Sequence, residues 1–221
     1  SERLTFEGSH YRYTNVPVEL RPLQQPYPPL WYATTNIESL PWAAAQGMNM
    51  VGLGPAARYR PNVDLYHQLW PQHRDDPNRL NAHVAAPKVG INRQVFIADT
   101  DEEARRIARA AHADWFAGFI KLWHDHGDHR HDGNRSWDTA LEAETILVGS
   151  PDRVREQVAR LLEASGCNYL ICSFAWGSLT HEQSLRSLRL FAEEVMPAFA
   201  GDATGEMFDH APTASRPAGS A

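Results

Sequence analysis

The chain has 221 residues, 43% of them hydrophobic, which is enough to build one sizeable core, and its formal net charge is -6. Acidic and basic residues are mixed along the whole length with no basic stripe, which argues against nucleic acid as a partner. No run approaches the roughly 18 apolar residues of a membrane span, and the first twenty residues lack a signal peptide's apolar core, so no membrane association is expected and the chain reads as cytoplasmic.

The chain starts at Ser1 in a stretch that reads as the middle of a loop, and a fragment is expected. Residues 1–30 contain Pro17, Pro22, Pro26, Pro28 and Pro29 and little periodicity, which predicts a long surface connection. The apolar run Leu30 to Thr34 predicts a first strand. A helix is predicted from Asn36 or Ser39 through Pro41 and the alanines to Gly47, followed by a second strand over Met50 to Leu53. Val63, Leu65, Tyr66, Leu69 and Trp70 recur at helical spacing between about Arg60 and His73, and Val89 to Ala98 alternates as a third strand.

Thr100-Asp101-Glu102-Glu103 has the form of a capping box and opens a long helix with Ala104, Ile107, Ala108, Ala111, Trp115 and Phe119 on one face. A histidine-rich loop, His124 to Gly133, interrupts it. Ser150-Pro151-Asp152 starts a further helix that Gly166 ends, Tyr169 to Phe174 is the fourth strand, and a last helix runs from about Thr180 to Met196 before Pro197. Cys167 and Cys172 fall in one apolar run and read as buried, unpaired thiols. Residues 201–221 have the composition of a disordered tail. Strands alternating with helices imply a parallel sheet covered by helices, either doubly wound or closed as a barrel.

Three segments in this order resemble the luciferase-like flavin-dependent monooxygenases. They are Pro28 to Gly47, Val95 to Ala104, and Val148 to Val154 joined to Ser187 to Pro197. The resemblance covers residues 1–200 and implies the C-terminal half of a (β/α)8 TIM-type barrel, with about four of eight strands present and the site at their C-terminal ends. It implies reduced FMN as cofactor, supplied by a separate flavin reductase, with the deazaflavin F420 as the family's other choice. It further implies dioxygen and a small organic substrate as reactants, and a homo-oligomer. The family's catalytic histidine has no counterpart in this chain, so catalytic residues are expected in an N-terminal half and the isolated fragment is expected to be inactive.

The turn after the first strand, Thr34-Thr35-Asn36 with Ser39, offers hydroxyl and amide donors at a helix start, and the resemblance implies contact with the flavin phosphate; Asn36 and Ser39 can equally serve as helix caps. Leu53, Gly54 and Pro55 would lie beside it, as flavin contacts or as a plain turn. Phe174, Trp176 and Gly177 suit either a substrate wall or ordinary packing. The spacing H-D-H-G-D-H-R-H matches no standard ligand motif, and no metal site is assigned to it. GxGxxG, P-loop, GxSxG and HExxH signatures are absent. A non-catalytic flavin-binding or partner-binding barrel subunit, a truncated inactive product, and an unrelated barrel hydrolase or aldolase are the competing readings.

Overall fold

A computed structural model of the chain describes residues 2–132 and 136–200; the expected tail at 201–221 lies outside them. The described residues form two sheets. Strands β1 (Glu2–Glu7) and β2 (Arg12–Val18) form an antiparallel hairpin closed by the Gly8 N–H on the Tyr11 carbonyl at 2.9 Å. This corrects the expected loop over residues 1–30. Leu4 stands opposite Val16 and Phe6 opposite Tyr13, so alternating apolar residues pair across the hairpin although Pro17 removes one donor.

The main sheet is parallel and contains β3 (Trp31–Ala33), β4 (Asn49–Gly52), β5 (Val89–Ile97), β6 (Ile146–Gly149) and β7 (Tyr169–Ser173). Gly90 and Ile91 bridge both β4 and β7, and Gln94 bridges both β6 and β7. A strand residue can bridge only one neighbour on each edge, so β4 and β6 share one edge of β5 in succession while β7 takes the other. The run β3-β4-β5-β7 is the four-stranded arc expected from sequence. β6 is a fifth strand, short and wholly buried, which four residues of apolar sequence did not announce.

The helices are α1 (Leu40–Ala45), α2 (Ala56–Leu69), α3 (Asp101–Asp125), α4 (Trp137–Glu142), α5 (Pro151–Ser165) and α6 (His181–Leu190). α2 starts four residues earlier than expected and closes in a 3-10 turn, Trp70–His73. α6 likewise gives way to a π turn, Phe191–Val195, and a 3-10 turn, Met196–Phe199. At α3 only half of the capping box forms, with the Thr100 hydroxyl accepting from the Glu103 N–H at 3.2 Å. The full reciprocal box is at α6, between Thr180 and Gln183. Ser150 caps α5, and Gly166 ends it at φ +68°, a left-handed value that costs glycine little.

Residues paired in register share a face, and neighbours along a strand alternate. Met50, Val89, Ile91, Leu170 and Cys172 therefore face α1, α2 and α5, where they join Leu40, Val63, Tyr66, Val158 and Leu161 in the larger core. A second core around α3 collects Phe96, Ala104, Ala108, Ala111, Ile146, Val148 and Trp176. Trp31, Ala33, Asn49, Val51, Gly90, Asn92, Gln94, Tyr169, Ile171 and Ser173 point to the opposite face. There the Trp31 and Tyr169 rings lie 5.1 Å apart although three strand steps, ~14 Å in a flat sheet, separate β3 from β7. Their convergence marks a concave face, the one a closed barrel turns inward. Both cysteines are free, Cys167 buried and Cys172 half-buried with its pKa pushed up to about 12 by burial.

Candidate functional site

Because β3, β4, β5 and β7 run parallel, their C-terminal ends share one rim, and Thr34 and Leu53 follow β3 and β4 directly. The Thr34 N–H donates to the Val51 carbonyl at 3.0 Å, so the first turn grows straight out of the strand pairing. The Asn36 N–H donates to the Thr34 hydroxyl at 3.0 Å, and the Asn36 side chain accepts from the Glu38 N–H at 3.1 Å. The Ser39 hydroxyl reaches the Asn36 carbonyl at 2.7 Å and stands 3.0 Å from the Thr34 hydroxyl. Thr34, Asn36 and Ser39 thus form one hydrogen-bonded knot at the rim.

This geometry separates the two capping expectations. Asn36 caps a 3-10 turn, Ile37–Ser39, whereas Ser39 precedes α1 in helical conformation and its side chain caps nothing. The turn leads into only six residues of α1, so little helix dipole is aimed here; the 14-residue α2, starting directly after Gly54 and Pro55 on the same rim, carries the larger one.

Two side chains outside the sequence-derived candidates hold the rim in place. Asn62 on α2, itself 7% exposed, donates to the Thr35 carbonyl at 3.1 Å. Arg93 on β5, 1% exposed, donates to the Gly54 carbonyl at 3.0 Å and to the Asn92 carbonyl at 2.7 Å, and burial lowers its pKa to about 10. An arginine inside the apolar run of β5 was the available signal. Leu53 is exposed, and Gly54 has φ +92° with none of the described residues within 4 Å of where a Cβ would stand. Phe174 packs edge-on against Phe191 in the larger core, and Trp176 is buried with its indole N–H 3.3 Å from the Val95 carbonyl, so both serve packing.

The profile of the luciferase-like monooxygenase family matches residues 1–169. The chain belongs to this family. As a luciferase-like chain it is 32% identical over 194 residues to the uncharacterized protein y4wF of Sinorhizobium fredii, covering 87% of this chain and 55% of that one. It is 24% identical over 190 residues to an FMNH2-dependent dimethylsulfone monooxygenase of Pseudomonas putida, covering 78% and 48%. The monooxygenase RslO1 of Streptomyces bottropensis shares the fold at TM-score 0.66 and 22% identity, over 90% of this chain and 57% of its own. So does the oxygenating constituent of a Pseudomonas putida 3,6-diketocamphane monooxygenase, solved with FMN, at TM-score 0.62 and 20% identity, over 89% and 58%. The luciferase-like chain spans about half the length of the curated relatives it matches. Its fold is accordingly a partial TIM-type barrel, and no helix among the described residues is long and apolar enough to cross a membrane.

Proposed function

We propose that the protein containing this chain is a flavin-dependent monooxygenase that binds reduced FMN at the rim of its barrel and inserts one oxygen atom from O2 into a small organic substrate. The observation that carries the reading is the Thr34-Asn36-Ser39 knot at the C-terminal rim of a luciferase-like barrel, with relatives that are FMNH2-dependent or solved with FMN. Reduced FMN supplies the electrons, with one oxygen atom passing to substrate and the other leaving as water.

Hydroxyl and amide groups of Thr34, Thr35, Asn36 and Ser39 would hold the phosphate, and the open space beside Leu53 and Gly54 suits the approach of a ribityl chain or ring to backbone. Asn62 and Arg93 act as positioning residues by holding the Thr35 and Gly54 carbonyls. The concave face, with Asn92, Gln94 and Ser173 half-buried beside Trp31 and Tyr169, would line the space in which substrate is shielded from water once the barrel closes. In this reading the acid-base residues lie in a barrel half outside this chain, a reductase delivers the cofactor in the cytoplasm, and the protein is a homo-oligomer.

The test is a fluorescence titration of FMN and of F420 into this chain and into a chain extended to a complete barrel. Saturable FMN binding by the complete barrel, with substrate oxygenation when reduced FMN is supplied, supports the reading. Binding of F420 alone, or of neither, overturns it.

A further inference from the structure

The C-terminal end of α3 carries a side-chain cluster that flavin chemistry does not use. α3 leaves the rim after β5 and runs 25 residues, about 37 Å, so its far end is remote from Thr34 and Gly54. The helix stops in a Schellman arrangement. The Asp128 N–H donates to the Trp123 carbonyl at 2.9 Å and the Gly127 N–H to the His124 carbonyl at 2.9 Å, with Gly127 at φ +70°. Beyond it, the Asp132 N–H closes a turn on the His129 carbonyl at 3.2 Å. His131 packs edge-on against Trp123, with ring centroids 4.7 Å apart, and brings the loop back along the helix.

The consequence is a convergence that the linear spacing hides. His124 Nε2 lies 2.5 Å from Asp132 Oδ1 and His129 Nδ1 lies 3.1 Å from Asp132 Oδ2. One ligand atom from each of the three residues falls within 4.8 Å of the others. We propose that His124, His129 and Asp132 bind a divalent first-row transition ion of the zinc class, which clips the 126–132 loop onto the end of α3.

Two imidazoles and a carboxylate are a donor set that zinc accepts, and bonds of about 2.0–2.1 Å in a tetrahedral site would set ligand atoms roughly 3.3 Å apart, within the spread observed here. The three side chains are exposed, which leaves a fourth position to water and an open path for the ion. The carbonyl end of α3 points its negative dipole at the same place. Lys121 and Arg130, the cations nearest in sequence, are engaged with Asp125 and Asp128. Three protein ligands with an open fourth position also match the composition of catalytic zinc sites, but distance from the rim assigns this one to holding the loop.

The test uses the full chain, stripped with chelator, and isothermal titration with Zn2+ and Co2+. The expected result is one ion per chain, at least tenfold weaker binding in His129→Gln and Asp132→Asn, and unchanged binding in His126→Gln, whose side chain lies outside the cluster. Amide exchange at Gly127 and Asp128 should slow on Zn2+ addition in the wild type and not in Asp132→Asn. All these side chains are exposed, so circular dichroism should report unchanged folding in each variant. No saturable binding, or equal binding in the wild type, His129→Gln and Asp132→Asn, overturns the proposal, the second result identifying capture by scattered histidines. Retained stoichiometry with no change in exchange at the helix end overturns the clip.

Discussion

Arg93, buried on the helix-covered face of β5, donates from Nη2 to the carbonyl oxygen of Gly54 at 3.0 Å and ties the loop after β4 to the neighbouring strand. A charged group in that position costs desolvation, which is why its pKa falls to about 10, and two backbone carbonyls provide the offset. Its Nε has no partner among the described residues.

Arg93→Ala should destabilise the chain by about 3 kcal/mol, since it opens a cavity and leaves the carbonyls of Asn92 and Gly54 without that donor. Arg93→Met fills the volume without the donors, so it should recover part of the stability while amide exchange at residues 53–59 stays fast. Urea unfolding and hydrogen exchange measure both. A loss below about 0.5 kcal/mol in Arg93→Ala would remove Arg93 from its anchoring role.

Gly177 sits at φ +56°, and a Cβ there would come 1.8 Å from the Ala111 carbonyl oxygen on α3. Backbone against backbone cannot give way as a flexible side chain can. Gly177→Ala should therefore cost more than about 3 kcal/mol and loosen the core around Trp176, seen as a shifted tryptophan fluorescence and a lower thermal midpoint.

His112 is buried among Trp115, Phe116 and Trp137, and its Nε2 has no partner among the described residues. Burial holds its pKa below the ordinary 6.5, so below that pH the unfolded chain takes up a proton that the folded chain resists. Stability is thus full above about pH 6.5 and declines as pH falls through that value toward the lower folded pKa. Urea midpoints measured from pH 7.5 down to 5.5 should fall in the wild type and fall less in His112→Phe, which keeps the stacking without the titration. Parallel curves for the two proteins would assign the acid sensitivity elsewhere.

Ser39 contributes a hydroxyl that caps no helix but donates to the Asn36 carbonyl at 2.7 Å, so removing it should cost about 1 kcal/mol and leave the fold intact. In a complete barrel, Ser39→Ala should weaken FMN binding about tenfold, the loss of roughly one hydrogen bond to a charged group. Riboflavin, which lacks the phosphate, should show no such difference, and an equal loss for both ligands would place Ser39 away from the phosphate.

The elements legible in the sequence were those announced within three or four residues. Thr100 before its acidic turn, Ser150-Pro151-Asp152 at the start of α5 and Gly166 at its end are all where the local chemistry put them. The hairpin over Glu2–Val18 was hidden because four prolines just beyond it, with Pro17, give residues 1–30 a loop-like composition, while its pairing joins residues up to sixteen apart. β6 is too short for periodicity to register, and only the C-terminal half of the β5 edge, which β4 leaves unpaired, gives it a place to pair.

By itself the sequence determined the alternation of strands and helices, the family and the chemical character of the rim, because capping, periodicity and motif are properties of neighbouring residues. Only the tertiary structure decided which residues face the concave side, that Arg93 reaches Gly54, and that His124, His129 and Asp132 meet. Those facts depend on strand register and on how a helix end turns back on itself: a one-residue slip in register would send each strand side chain to the opposite face, and one at the helix end would turn its side chains by about 100°.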